Sequence, residues 1–515
     1  MSKQNNLRKI ATPQSLNSCI KNICDIMRRS GRAGALQYVP ELTWMLFLRI
    51  LDEKEERNAR EATSLGIEFA PLLEYPYRWR DWATPAGFRF ENADYGSKKK
   101  GLQKIKPGAF MSFINGELIP YLRSLKNRSV ATPRQRVISE VLSFTEGTGI
   151  DTENNLRDVL NKIKELSLDR VDETHMFTIS QVYEGLLQKM GEKNNDGGQF
   201  FTPREIVRVM VKVIDPKIGE TVYDPCCGTG GFLVQANMHM KEKAKTVDDF
   251  EVLKTKSFYG REKERLVYPI ALANLLLHDI DEPHIWHGNT LTGLEIYSGL
   301  FQGAPELFDV ILTNPPFGGK EGKDAQTRFA YKTSATQILF LQHVIDNLKP
   351  GGRCGIVVDE GVLFRTNESA FVETKRKLLH ECDLWCIVSL PTRVFMNAGA
   401  GSKTNLLFFT KGNLTKEVWY YDLSDLNVTK RHLLTAKHFD EFFKLLPKRG
   451  TSGRSWHVSI DKIQAENYDL KAVNPNHKEK EDKRTPEELI SMIEEQSEEI
   501  VKALQTLKNK LSNVE

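Results

Sequence analysis

The chain has 515 residues, of which 40% are hydrophobic and 27% are charged, so it is a globular protein with room for more than one domain. Its net charge of +4 is too small to mark the whole chain as a nucleic-acid-binding protein, so any basic surface must be local. The sequence shows neither an apolar run near the roughly 20 residues of a membrane span nor the apolar core of a secretion signal. Seven cysteines without a CxxC pair argue against a disulfide framework and a zinc site. These features predict a cytoplasmic protein that carries no metal.

The amino-terminal part of the chain, residues 1–165, is predicted to be mostly helical. Residues 41–62, ELTWMLFLRILDEKEERNAREA, have an apolar first half and a charged second half, as expected of a long helix whose start is buried. Residues 95–108 form a basic stretch that favours a solvated loop, with contact to a phosphate as the alternative.

Residues 166–430 alternate strand and helix patterns, which predicts an α/β domain with a mostly parallel sheet covered on both faces. The predicted strands lie in ETVYD, KSFYGRE, FDVILTNPPF, RCGIVVD, WCIVSLP and TNLLFFTKG. The last two are expected to form an antiparallel pair.

Residues 431–515 are charged and are predicted to form a helical tail. Residues 474–484 resemble a linker, and Thr485 then starts a capping box for a helix over 485–513. Positions spaced alternately by four and three residues form a coiled-coil seam with one polar member. These positions are Ile493, Ser497, Ile500, Leu504, Leu507 and Leu511. Such a seam needs a partner.

A glycine-rich loop, DPCCGTGG, follows the first predicted strand. Asp224 stands at the strand end, and Gly228, Gly230 and Gly231 allow the backbone to approach a ligand closely. The loop alone fits a tight strand-to-helix turn equally well. It lacks the GxxxxGK spacing of a triphosphate-binding loop, which argues against ATP hydrolysis.

Glu262 in FYGRE ends the next predicted strand, where an acidic residue in this architecture accepts hydrogen bonds from ribose hydroxyls. A surface glutamate after a strand is the alternative. The separation from Gly231 exceeds the roughly 20 residues typical of a dehydrogenase, which disfavours NAD.

The stretch TNPPF ends another predicted strand. Asn314 offers an amide oxygen and Pro315 a free carbonyl, both able to accept from one amino group, while Pro315 and Pro316 hold them stiffly. Phe317 is placed to stack on a planar base. Two acceptors on an adenine amino group would localise its lone pair and make it nucleophilic. A structural Pro-Pro turn is the alternative.

The fourth motif, GGQFFTPREIVRVM, covers residues 197–210 and opens an amphipathic helix. Backbone donors at a helix start favour a carboxylate. A second interpretation, compatible with the first, is an ordinary cap in which Thr202 is the N-cap and Pro203 the first helical residue.

Together these four motifs resemble the gamma-type amino-methyltransferases of DNA, and more closely the modification (HsdM) subunits of type I restriction–modification systems. The resemblance continues through LKPGGRCGIVVDEGVLF, KTNLLFFTKG and the amino-terminal WMLFLRILDEKEE. It implies a helical amino-terminal domain, a Rossmann-like methyltransferase domain and a helical tail. It also implies transfer of a methyl group from S-adenosylmethionine to N6 of a DNA adenine flipped out of the duplex.

The resemblance also assigns site residues. Residues 199–204 and 229–231 would surround the methionine part of S-adenosylmethionine. Asp224 would lie near the cofactor amine, and Glu262 would accept hydrogen bonds from the ribose hydroxyls. Asn289 stands where the family usually has an acidic residue at the adenine ring, so an amide would make that contact. The implied cofactor-binding residues are Gln199, Phe200, Phe201, Thr202, Pro203, Arg204, Asp224, Gly228, Thr229, Gly230, Gly231, Glu262, Asn289 and Thr290. The implied catalytic residues are Asn314, Pro315, Pro316 and Phe317.

The chain is too short after its last predicted strand to choose a DNA sequence by itself. Only residues 431–515 remain, much of them linker and coiled coil, whereas a separate base-recognition domain generally needs about 100 residues. The resemblance implies double-stranded DNA and a specificity subunit as partners, with two copies of this chain per specificity subunit. A separate restriction and translocation subunit is a further implied partner.

Two other classes of function remain open at this point. One is methylation of an RNA base or a protein glutamine, because Asn-Pro-Pro-aromatic suits any planar amide or amine. The other is a non-catalytic assembly subunit. The helical front domain and the tail argue against the first, and intact Asn314, Pro315 and Phe317 argue against the second.

Overall fold

The computed structural model describes residues 13–29, 35–83, 108–165, 202–292, 299–395, 403–429, 432–476, 485 and 489–500. Gln199, Phe200, Phe201 and most of the basic stretch at 95–108 lie outside the described residues, as does the tail from residue 501 onward. Within the described ranges, no helix combines the length and apolar character that crossing a bilayer requires.

The amino-terminal region is helical, as predicted. Its helices are α1 (Pro13–Arg29), α2 (Ala35–Ser64), α3 (Trp79–Trp82), α4 (Ala109–Phe113), α5 (Ile119–Ser124), α6 (Pro133–Val141) and α7 (Glu153–Glu165), with a π-helical turn at Ile114–Leu118 between α4 and α5. In α2, residues 41–48 are all buried and the last turn is largely exposed, so the predicted long helix with a buried apolar half and an exposed charged end is confirmed, although it begins earlier, at Ala35. Trp44 packs against Trp82 in this core, and both rings are fully buried.

The region after α7 is built on one nine-stranded mixed sheet. The elements before β5 are α8 (Arg204–Ile214), β1 (Val222–Asp224), α9 (Gly231–Lys241), α10 (Val247–Thr255), β2 (Phe258–Glu262), α11 (Tyr268–Leu277), β3 (His284–His287), β4 (Phe308–Thr313), α12 (Lys323–Arg328) and α13 (Thr336–Asn347). The remaining elements are β5 (Leu348–Asp359), α14 (Glu360–Phe364), α15 (Ser369–Glu381), β6 (Cys382–Ser389), β7 (Thr404–Lys411), β8 (Glu417–Asp422), α16 (Asp440–Leu445), β9 (Ser455–Ser459) and α17 (Ile460–Ala465). The strand order is β3-β2-β1-β4-β5-β7-β6-β8-β9, with β6 and β7 antiparallel, as predicted.

Helices cover both faces of the sheet, which is why its strands are apolar on both sides. In β4, Val310 and Leu312 belong to the core that α8, α9 and α11 share, whereas Ile311 between them belongs to the core under α13 and α15. Packing between strands is equally close. A Cβ on Gly260 in β2 would lie 2.8 Å from Ile285 Cδ1 in β3, so β2 requires glycine at that point.

The order of the parallel strands places a crevice at their carboxyl edge. β1 pairs in parallel with β2 on one side and with β4 on the other, so the order of the strands reverses at β1. In open α/β sheets, ligands bind where the strand order reverses in this way. The predicted motifs at residues 224–231 and 314–317 follow β1 and β4 and therefore meet at this crevice.

The sheet extends further along the chain than the sequence indicated. β9 at Ser455–Ser459 pairs antiparallel with β8, so placing the last sheet strand before residue 430 was wrong. The alternation rule missed β9 because this short strand lies at an edge, between two short helices. Phe442 in α16 and Leu470 are buried in the two cores, so the packed core around the sheet continues to about residue 470.

The amino-terminal helices dock on α11 through packing and charge. Phe144, after α6, makes edge-on ring contacts with Tyr268 of α11 and with His287. Lys54 in α2 donates from Nζ to the carbonyl of Leu277, at the carboxyl end of α11, and pairs with Asp279. Capping the free carbonyls of α11 in this way joins the helical region to the sheet.

We expect Lys54→Met to lower the free energy of unfolding by about 1–3 kcal/mol, because it leaves the end of α11 without its charged donor. Lys241→Met is the matched control, since Lys241 is a more exposed partner of the same Asp279, and its loss should cost less than about 1 kcal/mol. Urea denaturation followed by fluorescence measures both. Equal effects of the two substitutions would contradict this account of the docking contact.

Candidate active site

A cavity of about 280 Å³ opens at the carboxyl edge between β1 and β4. The predicted site residues that line it are Thr202, Arg204, Asp224, Gly228, Thr229, Gly231, Glu262, Asn289, Thr290, Asn314 and Pro316. Pro203, Gly230, Pro315 and Phe317 lie beside this set without forming part of the cavity wall. The fold therefore brings four motifs, spread over more than 100 residues of chain, to one place.

The glycine loop turns sharply from β1 into α9. Gly230 precedes α9 with a φ of 80°, in the left-handed region that favours glycine. Asn274 in α11 donates from Nδ2 to the carbonyl of Thr229 over 2.8 Å, which fixes the loop from behind. A Cβ on Gly231 would meet no atom within 4 Å, so the backbone there faces open space in the cavity wall.

Asp224 ends β1 and is almost wholly buried. Its Oδ1 accepts from Thr313 Oγ1 at 2.7 Å and from the backbone N–H of Cys226 at 3.2 Å. Burial raises the pKa of the Asp224 carboxyl to about 7, and the two hydrogen bonds offset only part of that effect. The cavity wall thus contains a carboxylate that a donor or a cation from a ligand would stabilise.

Glu262 ends β2 and lies across the glycine loop. Its two oxygens accept from the backbone N–H groups of Gly228 at 2.8 Å and Glu264 at 2.7 Å. Burial raises the pKa of Glu262 to about 7 despite these bonds. Each oxygen retains a further lone pair for a ligand hydroxyl.

Asn289 and Thr290 follow β3 and line the cavity. The Thr290 hydroxyl donates to the carbonyl of Pro225. Asn289 accepts at Oδ1 from the Leu291 N–H at 3.0 Å and donates from Nδ2 to Glu321 Oε2 at 3.2 Å. Sequence reasoning did not identify Glu321 as a site residue, because nothing local relates it to β3, which ends 34 residues earlier at His287.

Asn314, after β4, supplies the most informative polar group of the site. Its Nδ2 donates to Thr202 Oγ1 at 3.0 Å, while its Oδ1 is buried with no hydrogen-bond partner among the described residues. This contact corrects the capping interpretation of Thr202. Pro203 is the residue before α8, and it makes no side-chain cap, so the Thr202 hydroxyl orients Asn314 instead.

The rest of the TNPPF stretch is held by residues that sequence reasoning missed. Gln337, in the first turn of α13, donates to the carbonyl of Pro315 at a long 3.5 Å. Phe395, which is fully buried, packs edge-on against Phe317 with ring centroids 5.5 Å apart. No local motif marks Gln337 or Phe395, since both contacts arise only when β4, α13 and the segment after β6 assemble.

Two cysteines also line the cavity. Burial raises the pKa values of the Cys226 and Cys227 thiols well above their usual range, so both stay protonated at neutral pH. A protonated thiol is a poor nucleophile, and Cys226 Sγ instead lies 3.0 Å from Thr313 Oγ1. The cysteines therefore act as packing groups in the loop.

Comparison with known proteins gives the family. A family model described as N-6 DNA Methylase matches residues 174–484, and one described as HsdM N-terminal domain matches residues 16–163. The chain is 35% identical over 502 residues to the EcoEI methylase subunit of a type I restriction enzyme from Escherichia coli, covering 94% of this chain and 95% of that protein.

Solved structures agree. A modification subunit of a putative type I restriction enzyme from Vibrio vulnificus is 34% identical, with a TM-score of 0.76 over 91% of this chain and 98% of that one. A chain from a type I restriction–modification system is 37% identical, with a TM-score of 0.67 over 98% of this chain and all of that one. The chain therefore belongs to the N-6 DNA methylases and, among them, to the methylase subunits of type I restriction enzymes.

Proposed function

We propose that the cavity binds S-adenosylmethionine and that residues 314–317 receive the target base. The chain is an adenine-specific DNA methyltransferase, the modification subunit of a type I restriction–modification enzyme, and it transfers a methyl group to N6 of adenine. The observation that carries the residue-level proposal is Asn314 Oδ1, a buried acceptor without a partner among the described residues. A buried acceptor left unpaired is costly, and the amino group of an incoming base would pair with it.

The residues of the cavity fit this cofactor. Glu262 and Asp224 are buried carboxylates with raised pKa values, and ribose hydroxyls and an ammonium group are the donors that would stabilise them. Gly231 leaves room for close backbone contact. Thr202 and Arg204, at the start of α8, complete the proposed methionine end of the site.

The strand order indicates how the elongated cofactor lies across the sheet edge. β4 with Asn314 is on one side of β1, and β2 with Glu262 and then β3 with Asn289 follow on the other. The methyl-bearing end of the cofactor must face Asn314, where the target base would bind. The ribose then reaches Glu262, and the adenine ring of the cofactor lies at the end of β3. This placement supports the assignment of Asn289 and Thr290 to the adenine end.

The chemistry needs an activated amino nitrogen. When bound, S-adenosylmethionine supplies an electrophilic methyl group on a positively charged sulfur. Asn314 Oδ1 and the Pro315 carbonyl would accept the two N6 hydrogens of the target adenine, which favours a pyramidal nitrogen whose lone pair is localised. N6 becomes acidic once it carries the methyl group, so its proton leaves late and no strong base is required. The Gln337 contact at 3.5 Å is weak enough to leave the Pro315 carbonyl available.

An aromatic wall lies next to this polar pair. A base flipped out of the duplex loses its stacking, and aromatic rings replace that energy at about 1–3 kcal/mol per base. Phe317 is the proposed stacking residue, and Phe395 holds its ring from the edge. Phe395 is therefore proposed as a positioning residue for Phe317.

The partner proposal concerns the exposed tail. The helix over residues 489–500 exposes Ile490, Ile493 and Ile500 by more than half of their surface. An apolar stripe of this kind is unfavourable in water without a partner. We assign it to docking on a specificity subunit that chooses the DNA sequence, with two copies of this chain per complex and a separate restriction subunit. The proposed organisation is 1–165 helical, 166 to about 470 catalytic, and a tail whose helix runs over 485–513.

Asn314→Ala should lower the rate of DNA methylation at least about a thousandfold, because the amino group loses the acceptor that activates it. The affinity for S-adenosylhomocysteine should stay within about threefold, because Asn314 contacts the base. Asn413→Ala, in an exposed turn, is the control. Single-turnover transfer of labelled methyl measures the rate and calorimetry the affinity. Near-normal methylation by Asn314→Ala would exclude the proposed role.

Binding of S-adenosylhomocysteine should weaken as the pH falls from 8 to 6. The raised pKa values of about 7 mean that Asp224 and Glu262 accept hydrogen bonds as carboxylates above neutrality and become protonated below it. With a pKa near 7, about a tenth of each carboxyl is ionised at pH 6, which predicts about a tenfold loss for each one that is needed.

Glu262→Gln separates this titration from other effects of pH. The variant should bind about 1.5–3 kcal/mol more weakly at pH 8, the scale of a hydrogen bond to a charged group, and its affinity should fall less steeply with pH. Calorimetry at both pH values, with thermal unfolding as a check of folding, measures this. A variant with the affinity and pH profile of the parent chain would remove Glu262 from the site.

Deleting residues 485–515 should leave a folded chain that binds cofactor but assembles poorly with the specificity subunit. A finer variant, Ile493→Ser with Ile500→Ser, should weaken assembly at least about tenfold, since it removes two apolar seam positions. Glu495→Ser with Glu499→Ser is the control on the outer face of the same helix. Sedimentation with the partner measures assembly, and normal assembly of the truncated chain would refute the docking role.

A further inference from the structure

The segment after TNPPF folds back across the end of β3. Glu321 donates its backbone N–H to the carbonyl of Ser334 at 2.9 Å, and Thr336 donates its N–H to that of Gly319 at 3.1 Å. A Cβ on Gly319 would lie only 2.6 Å from Thr336 Oγ1, so the two passes of chain are tightly packed. Arg328, the last residue of α12, donates to the carbonyl of Thr290, which ties this segment to the residues just after β3.

This arrangement fixes the Glu321 carboxylate in the cavity wall. Its Oε2 accepts from Asn289 Nδ2 and its Oε1 from Thr336 Oγ1, each at 3.2 Å. Both donors are neutral, and Glu321 forms no ion pair among the described residues. The two contacts orient the carboxylate but do not neutralise it, so it can still accept from a ligand.

The neighbouring Asn289 amide has less remaining capacity to form hydrogen bonds with a ligand. Asn289 already receives the Leu291 N–H at Oδ1 and gives one Nδ2 hydrogen to Glu321. A donor that reaches this end of the cavity therefore meets the stronger acceptor in Glu321.

We propose that Glu321, oriented by Asn289 and Thr336, accepts a hydrogen bond from the exocyclic amino group of the cofactor's adenine and makes the site selective for a 6-aminopurine. The inference rests on the proposed cofactor function and on the strand order that places the adenine ring at the end of β3. A carboxylate attracts an amino group, which donates, and repels the 6-oxo group of hypoxanthine, which only accepts. Glu321 is thus a specificity residue supplied by the loop after β4.

The test compares two ligands by calorimetry: S-adenosylhomocysteine and S-inosylhomocysteine, which carries oxygen in place of the amino group. The parent chain should prefer the adenosine ligand at least about tenfold, the scale of a charge-assisted hydrogen bond. Glu321→Gln should bring the ratio close to one, because an amide accepts from an amino group and donates to an oxo group. Glu321→Ala should also lower the ratio, because it removes both the acceptor for the amino group and the repulsion from the oxo group.

Asp324→Asn is the control, because it removes the same charge from an exposed position in the same loop, and it should keep the parent ratio. Thermal unfolding verifies that each variant is folded, and the two Glu321 variants serve as independent checks. A parent-like ratio in a folded Glu321 variant would overturn the inference while leaving the cofactor assignment intact. Failure of the parent chain to bind S-adenosylhomocysteine at all would overturn both, so the two failures are distinguishable.

Discussion

The reversal of strand order at β1 is the constraint on which the site depends. Because β2 and β4 lie on opposite sides of β1, the loops after these strands leave a crevice at the carboxyl edge of the sheet. The crevice contains polar groups that the surrounding protein satisfies only in part with hydrogen bonds. Asp224 and Glu262 remain carboxylates of raised pKa, and Asn314 keeps an acceptor without a partner among the described residues. Ligands that donate hydrogen bonds would satisfy these acceptors. Leaving the acceptors unsatisfied lowers the stability of the protein without ligand.

The surroundings of the crevice hold these groups rigidly. Residues of other elements form hydrogen bonds with three of the proposed site residues: Thr313 donates to Asp224, Asn274 donates to Thr229, and Thr202 accepts from Asn314. The amino-terminal helices in turn dock on α11, which carries Asn274. Side chains fixed in this way lose little entropy on binding, which favours both affinity and alignment of the reacting atoms.

Much of the candidate site was predictable because it depends on local patterns. A strand followed by glycines, an acidic residue after the next strand and Asn-Pro-Pro-Phe after a third each carry their signal within about ten residues. Their convergence follows from parallel strands sharing one carboxyl edge. The groups that sequence reasoning missed depend on distant contacts instead. Phe395 meets Phe317 across 78 residues and Glu321 meets Asn289 across 32, and in Thr202 a tertiary hydrogen bond replaced the capping role that local rules predict.

The central claim is that Asn314 and its neighbours direct the methyl group to N6 of adenine in DNA, with site choice supplied by the specificity subunit. The most direct measurement incubates the chain and that subunit with labelled S-adenosylmethionine and a mixture of DNA, RNA and protein, then separates the digested nucleosides and amino acids. The account predicts label in N6-methyldeoxyadenosine alone, and only when the specificity subunit is present. Label in methylated cytosine, in RNA nucleosides or in methylglutamine would contradict it.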